Sequence, residues 1–299
     1  MAGQLDLIMA AVTPFTDSGD LDLPAARRLY ELAAATTGSV LVAGTTGEFP
    51  ALDDGERLAL FEAALDRAGP GHVIAHIGAA DSRHARRLAA SAVSAGATRL
   101  AAITPYYLPA STGEIIAYYS EIAAAVPGAE LYAYVYPERT GVDVTPQQLA
   151  DVAAAAGLAG AKLSGTAGAR VREYVRALPA GFRAYTGADG HVALAAEAGA
   201  TGVISGVSTA FPEVFVRLAG ALAAGDAEQA AAAQADVERI VAAGRDIGHF
   251  KHALALRGIM GPAGRMTVGT VDAADAAAVA DLVRDLVPAG SPHAAAPTG

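Results

Sequence analysis

Eight short apolar runs recur along this chain, at residues 7–12, 39–43, 72–77, 99–103, 130–134, 159–162, 182–185 and 202–204, each followed by a stretch of helical periodicity. Most of the runs are apolar almost throughout. That is the pattern of parallel strands covered on both faces, where no position is given to water. The intervening stretches, at 22–36, 53–68, 82–95, 112–126, 145–157, 167–177, 189–199 and 212–223, supply the cover. Asp53, Ser82, Thr112 and Thr145 stand where helix N-caps are expected. Eight strand–helix units within about 225 residues predict an α/β chain folded as a (β/α)8 TIM barrel, for which roughly 250 residues is usual. A doubly wound open sheet is the alternative. It normally carries a glycine-rich phosphate loop after an early strand. Here Gly44-Thr45-Thr46-Gly47-Glu48 follows the second run and matches neither GxGxxG nor a P-loop with its lysine.

The barrel accounts for residues 1–225. Residues 226–288 show apolar positions at helical spacing and no strand pattern, so they read as a C-terminal helical extension packed on the outside of the barrel. Residues 289–299, rich in Pro, Gly and Ala, are expected to be a disordered tail.

Composition narrows the chemistry. Of the 299 residues 53% are hydrophobic and 17% charged, with a formal net charge of -10. A weakly charged, acidic surface argues against nucleic acid and anionic membranes as partners. The chain has no cysteine, which excludes disulfides, Cys–zinc sites and thiol nucleophiles. It shows neither a signal-peptide pattern nor an uninterrupted apolar stretch of membrane-spanning length, so a cytoplasmic protein is expected. Lysine is scarce: Lys162 and Lys251 are the only two among 21 basic residues. Where arginine serves almost everywhere else, a lysine that remains is a candidate for work that needs an amine.

In a barrel the chemistry sits where strands end and the following loops begin. Thr13 and Pro14 stand there after the first run, Thr45, Thr46 and Glu48 after the second, and Thr104, Pro105, Tyr106 and Tyr107 after the fourth. The fifth run ends at Tyr134, with Pro137 and Arg139 close behind, and the sixth at Lys162. Thr186, Gly187 and Asp189 follow the seventh, and Ser205 and Gly206 the eighth. Lys162 would point its amine into a largely apolar mouth. Desolvation works against an ammonium there, and a free amine attacks a carbonyl. Position alone leaves open a lysine paired with a carboxylate or reaching solvent. Tyr134 ends the neighbouring strand, where a phenol can move the protons of imine formation; a core tyrosine capped by backbone is the commoner fate. Thr45 and Tyr107 are candidates to relay that proton, or plain turn hydroxyls. Arg139 is placed to hold a carboxylate through two parallel hydrogen bonds, or to make a loop salt bridge.

Metal chemistry needs clustered His and carboxylate ligands. Among seven histidines only His76 lies near a strand end; His249 and His252 fall on a C-terminal helix, where a solvated or interface pair is expected. Neither a metal nor another cofactor is expected.

Four motifs occur here in a characteristic order and spacing: Gly44-Thr45-Thr46-Gly47-Glu48, Thr104-Pro105-Tyr106-Tyr107, Tyr134-x-x-Pro137-x-Arg139-Thr140-Gly141 and Gly160-x-Lys162. Together they resemble the dihydrodipicolinate synthase / N-acetylneuraminate lyase family over residues 6–285, including Phe250-Lys251-His252-Ala253-Leu254 near the end. The resemblance implies class I aldolases or lyases that act on pyruvate or another 2-keto acid. It makes Lys162 the Schiff-base residue, Tyr134 the proton shuttle and Thr45 the relay threonine. It gives Thr46 a share in holding the substrate carboxylate, and Gly187 and Ile204 places in the pocket wall. It also implies a homotetramer in which Tyr107 crosses a tight dimer into the partner's site. Arg139 matches the arginine that serves the second substrate's carboxylate in the synthase branch, and argues against a sialic acid substrate.

The chain departs from that pattern around the catalytic set. Val135 stands where the synthase branch usually has Asn, and Leu163 where an acidic residue usually follows the lysine. Ala80 and His84 replace the Asn and Glu of the lysine-inhibitor pocket, and Thr209-Ala210 lacks the usual Ala-Asn pair. The expected activity is therefore synthase-like, with a catabolic 2-keto-3-deoxy-acid or 4-hydroxy-2-oxo-acid aldolase, or a related dehydratase, as the alternative. A catalytically silent relative that binds small acids is the reading from a different class. Joint retention of Lys162, Tyr134, Thr45 and Tyr107 speaks against it.

Overall fold

The structure, a computed structural model, describes residues 5–244 and 246–291. Its eight strands are β1 (Asp6–Ala10), β2 (Ser39–Val42), β3 (Val73–His76), β4 (Arg99–Ile103), β5 (Glu130–Val135), β6 (Gly160–Leu163), β7 (Arg183–Thr186) and β8 (Gly202–Ser205). All pair in parallel, in chain order, and β8 closes on β1. This is the TIM barrel expected. The strand bounds move by one or two residues, which places Lys162 and Tyr134 one position before their strand ends rather than at them.

Alternation divides the strand residues between two packing regions. On β5, Tyr132 and Tyr134 face the barrel interior, while Leu131, Ala133 and Val135 pack against the surrounding helices. The interior below the mouth is filled by Ile8, Leu41, Ile74, Tyr132, Tyr185 and Ile204, so the barrel is a core and not a pore. Register sets Tyr134 beside Lys162 and Lys162 beside Tyr185.

The helices follow the sequence closely, with physical reasons where they differ. Asp53 and Thr145 cap as expected. The caps expected at Ser82 and Thr112 fall one residue earlier. Asp81 accepts the His84 N–H at 2.9 Å, and Ser111 forms a capping box with Glu114, whose Oε2 accepts the Ser111 N–H at 2.7 Å. The stretch read as one helix over 167–177 is two, Thr166–Ala169 and Val171–Ala177, because Arg170 between them leaves helical geometry at φ -95, ψ 17.

The C-terminal extension forms helices Ala227–Ala243, Ile247–Leu256 and Ala273–Leu286. It does more than pack on the outside. Ile247 and Phe250 reach the barrel mouth, as do Thr267 and Val268 from the segment after the second of these helices. His249 was expected to be solvated or at an interface; it is buried, with Nδ1 2.7 Å from Asp246 Oδ1 and Nε2 3.4 Å from Asp275 Oδ2. The cause is the packing of its helix against Ala273–Leu286. Of the tail expected over 289–299, residues 292–299 lie outside the described residues. Among the described residues no helix is long and apolar enough to cross a membrane.

Candidate active site

A cleft of about 340 Å³ opens at the C-terminal end of the barrel. Seven of the eight residues singled out as a site line it: Thr45, Thr46, Tyr134, Arg139, Lys162, Gly187 and Ile204. Lys162 is 4% exposed, and its Nζ lies 4.4 Å from the centroid of the Tyr134 ring. The Tyr134 hydroxyl donates to Thr45 Oγ1 at 3.1 Å. Amine, phenol and threonine hydroxyl thus run in sequence across β6, β5 and the loop after β2. Gly187 gives the lysine room: a Cβ there would stand 3.2 Å from Lys162 Cε and collide with Ser164 Oγ.

The loop after β2 is braced from below by His76. Its Nδ1 is 2.8 Å from the Ala43 carbonyl, and its Nε2 accepts the Ile103 N–H at 3.3 Å. That pattern needs the neutral ring with hydrogen on Nδ1. Burial, and then the charge of Arg57, hold His76 well below the usual histidine range. The one histidine near a strand end therefore serves as a strut. Among the described residues no group of three or more His, Cys, Asp or Glu side chains could hold a metal ion.

Arg139 sits on the one-turn helix Pro137–Thr140, exposed at the cleft edge, with its guanidinium 5.7 Å from the Tyr136 ring centroid. No salt bridge engages it among the described residues, so it is available to a ligand's anion. Tyr107 stands apart. It is 92% exposed, has a left-handed backbone at φ 82, and does not line the cleft of its own chain. Tyr106 turns the other way, edge-on to Phe49 at 5.8 Å between ring centroids. The two adjacent tyrosines thus diverge.

Two further residues line the cleft: Asp189, which stands on the rim by sequence but is not among the predicted site residues, and Ser164, to which the sequence does not point. Asp189 is partly exposed as a residue, yet its carboxylate faces inward, and Oδ1 is buried without a hydrogen-bond partner. Burial pushes its carboxyl up to about 6, against the opposing pull of Ser205 and Lys162. Ser164, one residue past β6, lines the cleft beside it. The signal for Asp189 was only its place after β7; its burial depends on the helices around it. Lys251 is not at the cleft. It is fully buried and ion-paired with Glu48, which is also fully buried.

Comparison with known proteins gives the chain a family. The Dihydrodipicolinate synthetase family matches residues 4–285. The 4-hydroxy-tetrahydrodipicolinate synthase 1 of Streptomyces coelicolor is 35% identical over 79% of this chain and 79% of its own length. YagE of E. coli K12, a prophage protein of the dihydrodipicolinic acid synthase family solved in complex with pyruvate, has 27% identity and a TM-score of 0.86, covering 94% of this chain and 98% of its own. The KD(P)GA of T. tenax has 29% identity and a TM-score of 0.83, covering 94% and 100%. The family match spans nearly the whole barrel and its extension, and the barrel carries the lysine, tyrosine and threonine at one mouth. The chain belongs to the dihydrodipicolinate synthetase family and is a lyase built on its (β/α)8 barrel.

Proposed function

We propose that this enzyme forms a Schiff base between Lys162 and the keto carbon of pyruvate and joins the resulting enamine to an aldehyde, or runs that reaction backwards. The observation that carries the reading is the buried Lys162 amine beside Tyr134, whose hydroxyl is bonded to Thr45. The amine adds to C2, and the carbinolamine loses its hydroxyl as water when a proton is delivered to it. Loss of a proton from C3 gives the enamine, whose C3 then bonds to the aldehyde carbon as the aldehyde oxygen takes up a proton and the imine re-forms; water finally hydrolyses the imine and frees Lys162. Each step moves one proton over a short distance, which is the work of the Tyr134–Thr45 pair. Thr46 holds the pyruvate carboxylate, with Gly187 and Ile204 as the wall behind it.

Arg139 supports an acceptor that carries its own carboxylate, as aspartate semialdehyde does, so 4-hydroxy-tetrahydrodipicolinate synthase activity is the first assignment. Asp189 favours a second: an unpartnered buried oxygen facing the cleft suits a hydroxylated acceptor, as in cleavage of 2-keto-3-deoxy acids. In either case no metal or organic cofactor is required. The enzyme acts in the cytoplasm as a homotetramer, with Tyr107 contributed across a tight dimer.

Borohydride reduction in the presence of pyruvate tests the mechanism. The expected result is a covalent adduct on Lys162, absent from Lys162→Ala; an adduct mapped to Lys251, or none at all, overturns it. A panel of aspartate semialdehyde, 2-keto-3-deoxy sugar acids and 4-hydroxy-2-oxo acids then separates the two assignments.

A further inference from the structure

The loop that presents Thr45 and Thr46 is held in a conformation its residues do not favour. Ala43 and Glu48, at its two ends, both have left-handed backbones, with φ 53 and φ 55. Non-glycine residues keep that geometry only where the surroundings dictate it. Part of the constraint is local. The Thr13 hydroxyl donates to the Gly47 carbonyl at 2.6 Å, and His76 holds the Ala43 carbonyl. The rest comes from the far end of the chain. The fully buried Glu48 carboxylate accepts the backbone N–H groups of Arg265 and Met266 at 2.8 and 2.7 Å, and its other oxygen is ion-paired with Lys251. Lys251 in turn donates to the Ala263 carbonyl at 2.7 Å. Arg265 is stapled to Glu56 at 2.6 Å and to the Gly19 carbonyl at 2.7 Å. The two residues that follow Met266, Thr267 and Val268, line the cleft.

One carboxylate therefore ties the threonine loop to a second segment that lines the same cleft. We propose that Glu48, paired with Lys251, is a positioning residue that sets the Thr45 hydroxyl against Tyr134 and fixes the 267–268 wall relative to it. Glu48 does not line the cleft. It acts through the loop, because Thr45 is three residues away in a turn that the Glu48 N–H closes on the Thr45 carbonyl at 3.1 Å, and this carboxylate is what joins that turn to the chain's C-terminal segment. The pair is worth more as geometry than as stability. Burying two charges costs nearly what their attraction returns, whereas removing one partner strands the other without water. The proposal rests on the Schiff-base reading given above.

The test uses the full-length enzyme with pyruvate and borohydride alongside steady-state kinetics. Glu48→Gln and Lys251→Met break the charge pair. In each, kcat per folded molecule is expected to fall by about a hundredfold, the usual consequence of misplacing a reacting group by 1 Å. The adduct still maps to Lys162 but forms more slowly in the same proportion. Leu218→Ala, on helix Pro212–Ala224 and away from the cleft, serves as the stability control. It is expected to lower the melting temperature while leaving kcat unchanged. If a single variant does not fold, Glu48→Gln/Lys251→Met removes both charges at once, and it is expected to fold and to remain slow. A kcat within about fivefold of wild type, in any folded variant lacking the pair, overturns the proposal. Failure of the wild-type enzyme to trap pyruvate overturns the Schiff-base reading itself, and so the two failures are told apart.

Discussion

Replacing Asp189 with Asn should make the protein more stable, and only above a definite pH. The native carboxyl is buried at the cleft and pushed up from 3.8 to about 6. The folded state therefore holds its proton more tightly than the unfolded chain does. Between about pH 4 and pH 6 the folded protein binds more protons than the unfolded one, so stability falls as pH rises through that window. Above it the loss is complete. At about 1.4 kcal/mol for each factor of ten in proton affinity, the whole effect is about 3 kcal/mol. Asn has nearly the same shape and no charge to bury, so Asp189→Asn escapes the loss. The assay is thermal or denaturant unfolding of both proteins from pH 4 to pH 8. The two should be about equally stable at pH 4 and diverge up to about pH 6, with the variant ahead by about 3 kcal/mol from there on. A difference independent of pH, or a variant that loses ground as pH rises, would refute the reasoning. The second outcome would mean that Asp189 works as a counter-ion to Lys162, an attraction strong enough to outweigh its burial.

Three other expectations can be checked directly. Tyr134→Phe keeps the ring against His76 and loses only the hydroxyl on Thr45, so kcat should fall about 10²–10⁴-fold while unfolding shifts little; retention of more than a tenth of wild-type kcat would remove the phenol from the mechanism. Millimolar lysine should not inhibit in a steady-state assay, because Ala80 has no side-chain acceptor and the His84 Nε2 is already engaged by Asp54 at 2.6 Å; clear inhibition would contradict this. Mixing Tyr107→Phe with Lys162→Ala subunits under exchange should raise activity above either parent, since one hybrid site then has both groups. No gain, with exchange confirmed by native mass spectrometry, would place Tyr107 outside the shared site.

The strands were legible because a strand buried on both faces leaves a continuous apolar run, and eight of them alternate with helical stretches at barrel spacing. Lys162 and Tyr134 were legible because a barrel puts its chemistry at one end, and because lysine is so rare here. The caps at 82 and 112 were misplaced by one residue because Asp81-Ser82 and Ser111-Thr112 each offer two residues able to cap. Only the return bond from Glu114 decides between Ser111 and Thr112. The extension's role at the mouth was not legible. Helical periodicity says which face is apolar, not which part of the barrel it covers. For the same reason the inward carboxylate of Asp189 and the burial of His249 had no signal in the local sequence.

The bonds from Glu48 to the backbone span 217 and 218 residues, which has a consequence for synthesis. At about 5–20 residues per second, the glutamate leaves the ribosome roughly 10–40 s before the groups that hold it. In that interval the remaining six strands, β3 to β8, are made, yet the loop carrying Thr45 and Thr46 lacks the partners of the carboxylate at its base. The nascent barrel must keep this region wet and open until its last quarter arrives. Competence to bind substrate is thus delayed to the end of translation, and a chain cut short before residue 251 would carry Lys162 without the architecture that directs it.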